Sequence, residues 1–373
     1  MARLESLDLI KEFLLPGRSS RRSIPPLDAG LTPNDDLESL KCSFEVQVNE
    51  PEDALVGPDG HLYVTSGNTV IRFSGPDFGL REVLATADGE TGAMALDPDG
   101  RLLVCVAGVG VLRIGLSGST EVVCDKAEGG PVHCPTALAV AKDGTTYVTD
   151  GSTRHQGQRW VYDLMEQNSL GRLICVDSTR RDARVLEGAL RYPSGIALTE
   201  SEDAIILSEA WAHRIKRHGL NHSSADGVLR DNLPGYPGRL APASDGQLWL
   251  AMFALRTQLV DFVLTQRDYV KAMMENIEPE YWIRPALSGL NSGLEPLQGG
   301  QVRKLGVIKP WAPPRSYGLV VKLEEDGHPV LSMHSRGGGK RHGVTSARQS
   351  DCRLTVAVRG GNQVLITELG GES

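Results

Sequence analysis

The sequence predicts an all-β fold: a six-bladed β-propeller with an N-terminal helical arm and a helical insertion in the fifth blade. Three observations lead there. A unit made of an apolar strand, an Asp-Gly-type turn and a second apolar strand recurs six times between about residue 50 and the C-terminus. The first three copies start about 40–44 residues apart, the period of a four-stranded propeller blade. The 42 glycines and 21 prolines are spread along the chain, as many tight turns require. A barrel of alternating strands and helices would need a long helix after every strand, and the gaps are mostly too short or too polar for that.

In chain order, residues 1–40 read as an arm. Leu7, Ile10, Phe13 and Leu14 lie on one side of a predicted helix over Leu4–Leu15, which Pro16-Gly17 stops. The propeller is expected over residues 41–373. Its first copy is Ala54–Val64, turning at Pro58-Asp59-Gly60, and is followed by the strand Asn68–Phe73. The later copies are Ala93–Val104, Ala137–Val148, Gly195–Leu207, Arg239–Leu250 and Gly343–Val356. In each, the residues at the turn supply the positive φ that a tight hairpin needs. The third copy carries an insertion over Arg154–Ser169. The fifth carries a larger one over about residues 256–315. The first half of the larger insertion is predicted helical, with Leu259, Phe262, Val263, Val270, Met273 and Met274 as its packing stripe. Its second half holds Pro285, Pro296, Pro310 and the run Trp311-Ala312-Pro313-Pro314, and is predicted irregular. A long insertion on one face of a repeat fold is where a lid over a site belongs.

Composition narrows the function. A net charge of −8 argues against a nucleic-acid partner, because that binding rests on phosphate neutralisation. The basic clusters Arg18–Arg22 and Lys340-Arg341-His342 read as solvated surface. No apolar run approaches the roughly 18 residues that span a bilayer, and the first residues lack the apolar core of a signal peptide. A cytoplasmic location is therefore expected. Six widely spaced cysteines without a C-x-x-C pair read as thiols in a reducing compartment, with Cys42 and Cys352 placed to meet if the fold closes on itself.

If the copies are equivalent, the residues seven before each turn Asp (Ser201 standing in for it in the fourth copy) ring one mouth of the central channel. They are Glu52, Gly92, Thr136, Ser194, Gly238 and Val344. Candidates around them are Glu52, Arg239 and His342 for catalysis, and His133, Thr136, Ser194, Tyr236 and Thr345 for substrate binding. Desolvation in a channel is expected to raise the Glu52 pKa toward that of a working acid–base. His342 is the candidate proton shuttle, and Arg239 the candidate oxyanion stabiliser. A structural Glu52–Arg239 ion pair that plugs the channel is the alternative. Asp150 and Glu209 read as turn or inter-blade hydrogen-bonding residues. Phosphate-binding glycine loops and a G-x-S-x-G elbow do not occur.

The segments Thr146–Arg154, Gly171-Arg-Leu-Ile174, Leu190–Leu198 and Leu233–Arg239, with the insertion after Ala251-Met-Phe-Ala254, resemble the strictosidine synthase-like branch of the gluconolactonase and paraoxonase superfamily. The resemblance implies an enzyme acting on a small molecule, most often by hydrolysis of a lactone or ester. It also implies a central calcium or other divalent ion held by a first-blade Glu and later Asn or Asp residues. Only Glu52 matches that set. Thr136, Ser194 and Gly238-Arg239 stand where the others are expected, so no cofactor is expected, and Glu52 is the one candidate ligand if a metal is present. The synthase's own glutamate has no counterpart in His342–Ser346. Two alternatives stay open: a metal-independent lyase, isomerase or condensing enzyme on a natural-product-like substrate, and a non-catalytic binding propeller.

Overall fold

A computed structural model describes residues 30–178, 183–221, 224–289, 302–304, 307–309 and 315–369. The predicted helix over Leu4–Leu15 lies outside them, as do Pro296, Pro310 and residues 311–314. Among the described residues no helix is long and apolar enough to cross a membrane.

Six antiparallel four-stranded sheets form the blades of a propeller. Their innermost strands are Pro51–Val56, Thr91–Leu96, Pro135–Val140, Pro193–Leu198, Gly235–Pro242 and Val344–Ser350. Each runs into a hairpin whose chemistry is local. In the first blade Gly60 takes φ +76°, and the Asp59 carboxylate accepts from the His61 amide at 3.0 Å. Gly100, Gly144 and Gly246 adopt the same left-handed backbone, which costs glycine nothing. The fourth and sixth blades lack that glycine, and Glu202 (φ +54°) and Asp351 (φ +51°) carry the turn.

The sixth blade closes the ring with a strand from the other end of the chain. Phe44–Gln47 pairs with Gln363–Ile366 in register, Phe44 opposite Ile366 and Gln47 opposite Gln363. Closure removes the open edges that a row of blades would present. The described part of the arm fastens the same seam. Leu37 is fully buried, Asn34 bridges Ser332 and His334, and Arg341 donates to the carbonyls of Leu37 and Leu40. Cys42 and Cys352 are free thiols. They lie on opposite sides of the strand Gln363–Glu368, which pairs with both the closing strand and Arg353–Val358.

Apolar clusters fill the spaces between neighbouring blades, and a further cluster sits on the mouth face. The third-blade insertion supplies helix α1 (Trp160–Glu166). The fifth-blade insertion supplies α2 (Gln258–Thr265) and α3 (Arg267–Asn276), separated at Gln266, where the predicted single helix breaks. Thr257 caps α2, its hydroxyl accepting from the Val260 amide at 3.1 Å. Val263, Val270 and Met273 are buried as expected, whereas Phe262, placed on the same stripe, faces solvent. Two links tie the insertions together. The Gln167 side chain donates to the Leu264 carbonyl, and the rings of Tyr162 and Trp282 meet edge to face, 5.0 Å apart. The insertions form one lid.

Candidate functional site

Every innermost strand begins with a β-bulge. Register shifts fall between Pro51 and Asp53, Thr91 and Met94, Pro135 and Ala137, Pro193 and Gly195, Pro237 and Leu240, and Val344 and Ser346. A bulge leaves one residue out of the ladder and re-aims its side chain. The skipped positions include Glu52, Gly92, Thr136, Ser194, Gly238 and Thr345. The predicted ring is therefore present with one correction. Its sixth member is Thr345, and Val344 is its fully buried neighbour. The inner strands crowd together here: a Cβ on Gly195 would lie 2.2 Å from the Gly238 carbonyl oxygen.

The ring floors a cavity of about 180 Å³ at the channel mouth. Glu52, Thr136, Ser194, Arg239 and Thr345 line it, as do Arg359, Glu50 and Glu90 and the aromatic residues Trp160, Tyr192, Trp211 and Phe253. The lid contributes Gln158, Trp160 and Leu287. Trp211 stacks on Tyr192 with ring centroids 4.4 Å apart. Its indole donates to the buried Asp163 of α1 at 2.9 Å, and Asp163 also accepts from Ser152 at 2.6 Å. That knot holds lid and wall together.

At the floor, Arg239 Nη2 donates to Glu52 Oε1 at 2.9 Å, and Arg359 Nη1 donates to Glu52 Oε2. Arg239 Nη1 donates to the carbonyls of Glu52, at 2.7 Å, and Thr345, at 3.1 Å. The second Arg359 arm reaches Glu50 at 3.2 Å. One residue deeper, the fully buried Asp53 receives Arg348 through two bonds, at 3.0 and 2.7 Å. The amides of Ala54 and Met94 also donate to Asp53, at 2.9 and 2.8 Å. Three carboxylates thus meet three guanidiniums along the channel axis.

This electrostatics corrects the expectation for Glu52. Burial is the largest single influence and pushes its carboxyl up, but Arg359 and Arg239 together hold it below its ordinary value. Glu52 is an ionised carboxylate at neutral pH and not a poised acid. Burial likewise opposes the Arg239 charge, and Glu52 and Asp53 overcome it, raising its pKa.

Three predicted residues stand away from the cavity lining. Both His342 nitrogens are engaged: Nε2 donates to the Arg336 carbonyl at 2.9 Å, so Nδ1 accepts from the Ser316 hydroxyl at 2.9 Å. The ring stacks near Tyr317, and the proposed proton shuttle is a structural histidine. His133 is half-buried outside the lining, where its carbonyl accepts from the Gly108 amide. Tyr236 is fully buried behind the wall among Trp211, His213 and Phe253. Asp150 and Glu209, read from the sequence as turn or inter-blade residues, instead make cross-strand pairs within their own blades. Asp150 pairs with Arg172 and accepts from the Cys134 amide. Glu209 takes Arg214 and the Arg191 amide.

The residues present do not fit a divalent cation. Hard cations need several converging oxygens. Thr136 spends its hydroxyl proton on the Pro193 carbonyl at 2.6 Å, and Ser194 spends its own on Pro237 at 2.7 Å. A guanidinium already lies on the Glu52 carboxylate. Among the described residues no group of three His, Cys, Asp or Glu side chains is placed to hold a metal.

A family model described as strictosidine synthase matches residues 136–223. Adipocyte plasma membrane-associated protein of Danio rerio is 27% identical over 338 residues, covering 84% of this chain and 74% of that protein. Protein strictosidine synthase-like 4 of Arabidopsis thaliana is 28% identical over 262 residues, covering 67% of this chain and 69% of that protein. Among solved structures, a gluconolactonase from Xanthomonas campestris superposes with a TM-score of 0.58 at 14% identity, covering 87% of each chain. That last likeness is one of fold.

Proposed function

We propose, from its likeness to strictosidine synthase-like proteins and its propeller fold, that the chain is a small-molecule hydrolase. Its substrate is a lactone or ester bound in the mouth cavity under the lid. One observation carries the reading: an ionised carboxylate and a partly exposed guanidinium share the floor of a cavity walled by aromatic rings. Two Glu52 oxygens each accept one guanidinium bond, which leaves lone pairs to hold a water. In the proposed step that water attacks the acyl carbon and its proton passes to Glu52. The oxyanion that forms faces Arg359, whose remaining N–H groups are free to donate to it. Collapse breaks the acyl C–O bond, and the proton on Glu52 goes to the departing alkoxide, giving a hydroxy acid from a lactone. A carboxylate of lowered pKa is a weak base but returns its proton readily.

The test is hydrolysis of a panel of aliphatic lactones and aryl esters by the wild type and by Glu52→Gln, with thermal unfolding as the control for folding. General acid–base assistance is worth about 10²–10⁴-fold, and a loss of that size in kcat is expected. Glu52→Gln turning over every accepted substrate at the wild-type rate removes the proposal. One observation favours a binding role without turnover: both Glu52 oxygens already carry guanidinium partners. A wild type that binds panel members and hydrolyses none supports that role.

A further inference from the structure

We infer that Arg239 is the resident cation of the channel: its guanidinium occupies the place, and performs the charge balance, of the central metal ion that the resemblance implies. The geometry is that of a cation site with a side chain in it. Three oxygens converge on the two terminal nitrogens of Arg239: Glu52 Oε1 at 2.9 Å, the Glu52 carbonyl at 2.7 Å and the Thr345 carbonyl at 3.1 Å. A carboxylate with inner-strand carbonyls is the donor type that hard cations take. The guanidinium reaches them from the fifth blade, directly after Gly238, where a β-bulge frees the strand to aim its side chain inward.

Charge counting reaches the same place. Glu50, Glu52 and Asp53 are matched by Arg239, Arg348 and Arg359. Glu90, which also lines the cavity beside Arg359, adds a fourth carboxylate, and a dication entering this set would still leave one positive charge uncompensated, at a cost. Arg239 has little room to withdraw. It is 8% exposed, and each of its terminal nitrogens already has an acceptor.

Removing the guanidinium should therefore create a cation site. Arg239→Ala frees the three oxygens and the space between them, and Arg239→Met frees the oxygens but fills the space. The experiment measures the melting temperature of the full-length wild type and both variants in low-millimolar calcium chloride, guanidinium chloride, or sodium chloride of matched ionic strength. The wild type is expected to be unmoved by all three. Arg239→Ala should melt on the order of 5–10 °C lower, the cost of leaving Glu52 Oε1 and the Glu52 and Thr345 carbonyls without their donor while Arg359 alone holds the carboxylate. It should recover part of that loss with calcium or guanidinium but not with sodium. Arg239→Met should melt lower and respond to neither. If Arg239→Ala does not fold, guanidinium in the refolding buffer should restore its soluble yield, and no gain there overturns the inference. Calcium raising the wild-type melting temperature as much as the variant's overturns it, as does Arg239→Ala melting with the wild type in sodium alone. None of these readouts requires turnover, so the inference fails or stands separately from the hydrolase proposal.

Discussion

Arg348→Met isolates the deeper ion pair of the channel. The substitution keeps most of the side chain's volume and removes both bonds to Asp53, leaving a fully buried carboxylate with only the amides of Ala54 and Met94. It also strands the Met94 carbonyl that Arg348 now satisfies at 2.7 Å. Stranding one member of a buried pair costs about 3–5 kcal/mol. Arg348 is 22% exposed at its side chain, and Asp53 keeps two donors, which puts the expected loss near the lower end, about 3 kcal/mol at neutral pH. The pH dependence has a definite sign. In the wild type, burial pushes the Asp53 carboxyl up, and Arg348 outweighs it, so the group sits below its ordinary value. The stability it contributes is present above the unfolded pKa and is lost only as pH falls through the lowered folded value. In the variant burial loses its main counterweight and faces only Arg239 and the amide donors, and the folded pKa is expected to rise above the unfolded one. That contribution is then present at low pH and is lost as pH rises. The gap between the proteins should be largest at about pH 7 and shrink at about pH 4.5. Urea unfolding of both proteins at the two pH values measures it. A gap under about 1 kcal/mol at neutral pH, the worth of an exposed pair, would refute the reasoning, as would a gap independent of pH.

Two further outcomes follow from the lid and the thiols. Asp163→Ala removes the acceptor shared by Trp211 and Ser152 and should cost about 1–3 kcal/mol, with a change in tryptophan emission as the indole loses its anchor; unchanged emission would disprove the anchoring role. Native protein should label with a thiol reagent at exposed Cys352, while Cys134, buried and pushed up to about 12 chiefly by desolvation, should label only on unfolding. Equal labelling rates would contradict the packing of the cavity wall.

What was legible in the sequence was local. The hairpins announce themselves because Asp59 and Gly60, or Asp143 and Gly144, carry the turn within four residues. The closing strand Phe44–Gln47 was not legible, since its partner lies at the far end of the chain and its four residues carry no turn signal. Counting back from the turns found five ring positions. The sixth-blade position lies one residue off that spacing, because its hairpin closes through Asp351 and Cys352 alone, whereas the first blade turns through residues 57–61. Arg359 escaped because it follows a second strand and reaches Glu52 only after the ring closes. The aromatic wall assembles from Trp160, Tyr192, Trp211 and Phe253, four residues in separate segments with no shared spacing. His342 illustrates the opposite error. Its residue type suggested proton transfer, while Ser316 and the Arg336 carbonyl occupy both its nitrogens.

The pH profile of kcat/KM for the best lactone or ester of the panel tests most directly whether Glu52, held between Arg239 and Arg359, is the working group. Activity needs the ionised carboxylate, whose pKa lies below its ordinary value. The rate should therefore stay flat through neutral pH and fall only below about pH 4.5, the ordinary glutamate range. An acid limb near pH 6–7, where a histidine or an unpaired, desolvated carboxyl titrates, would contradict the account.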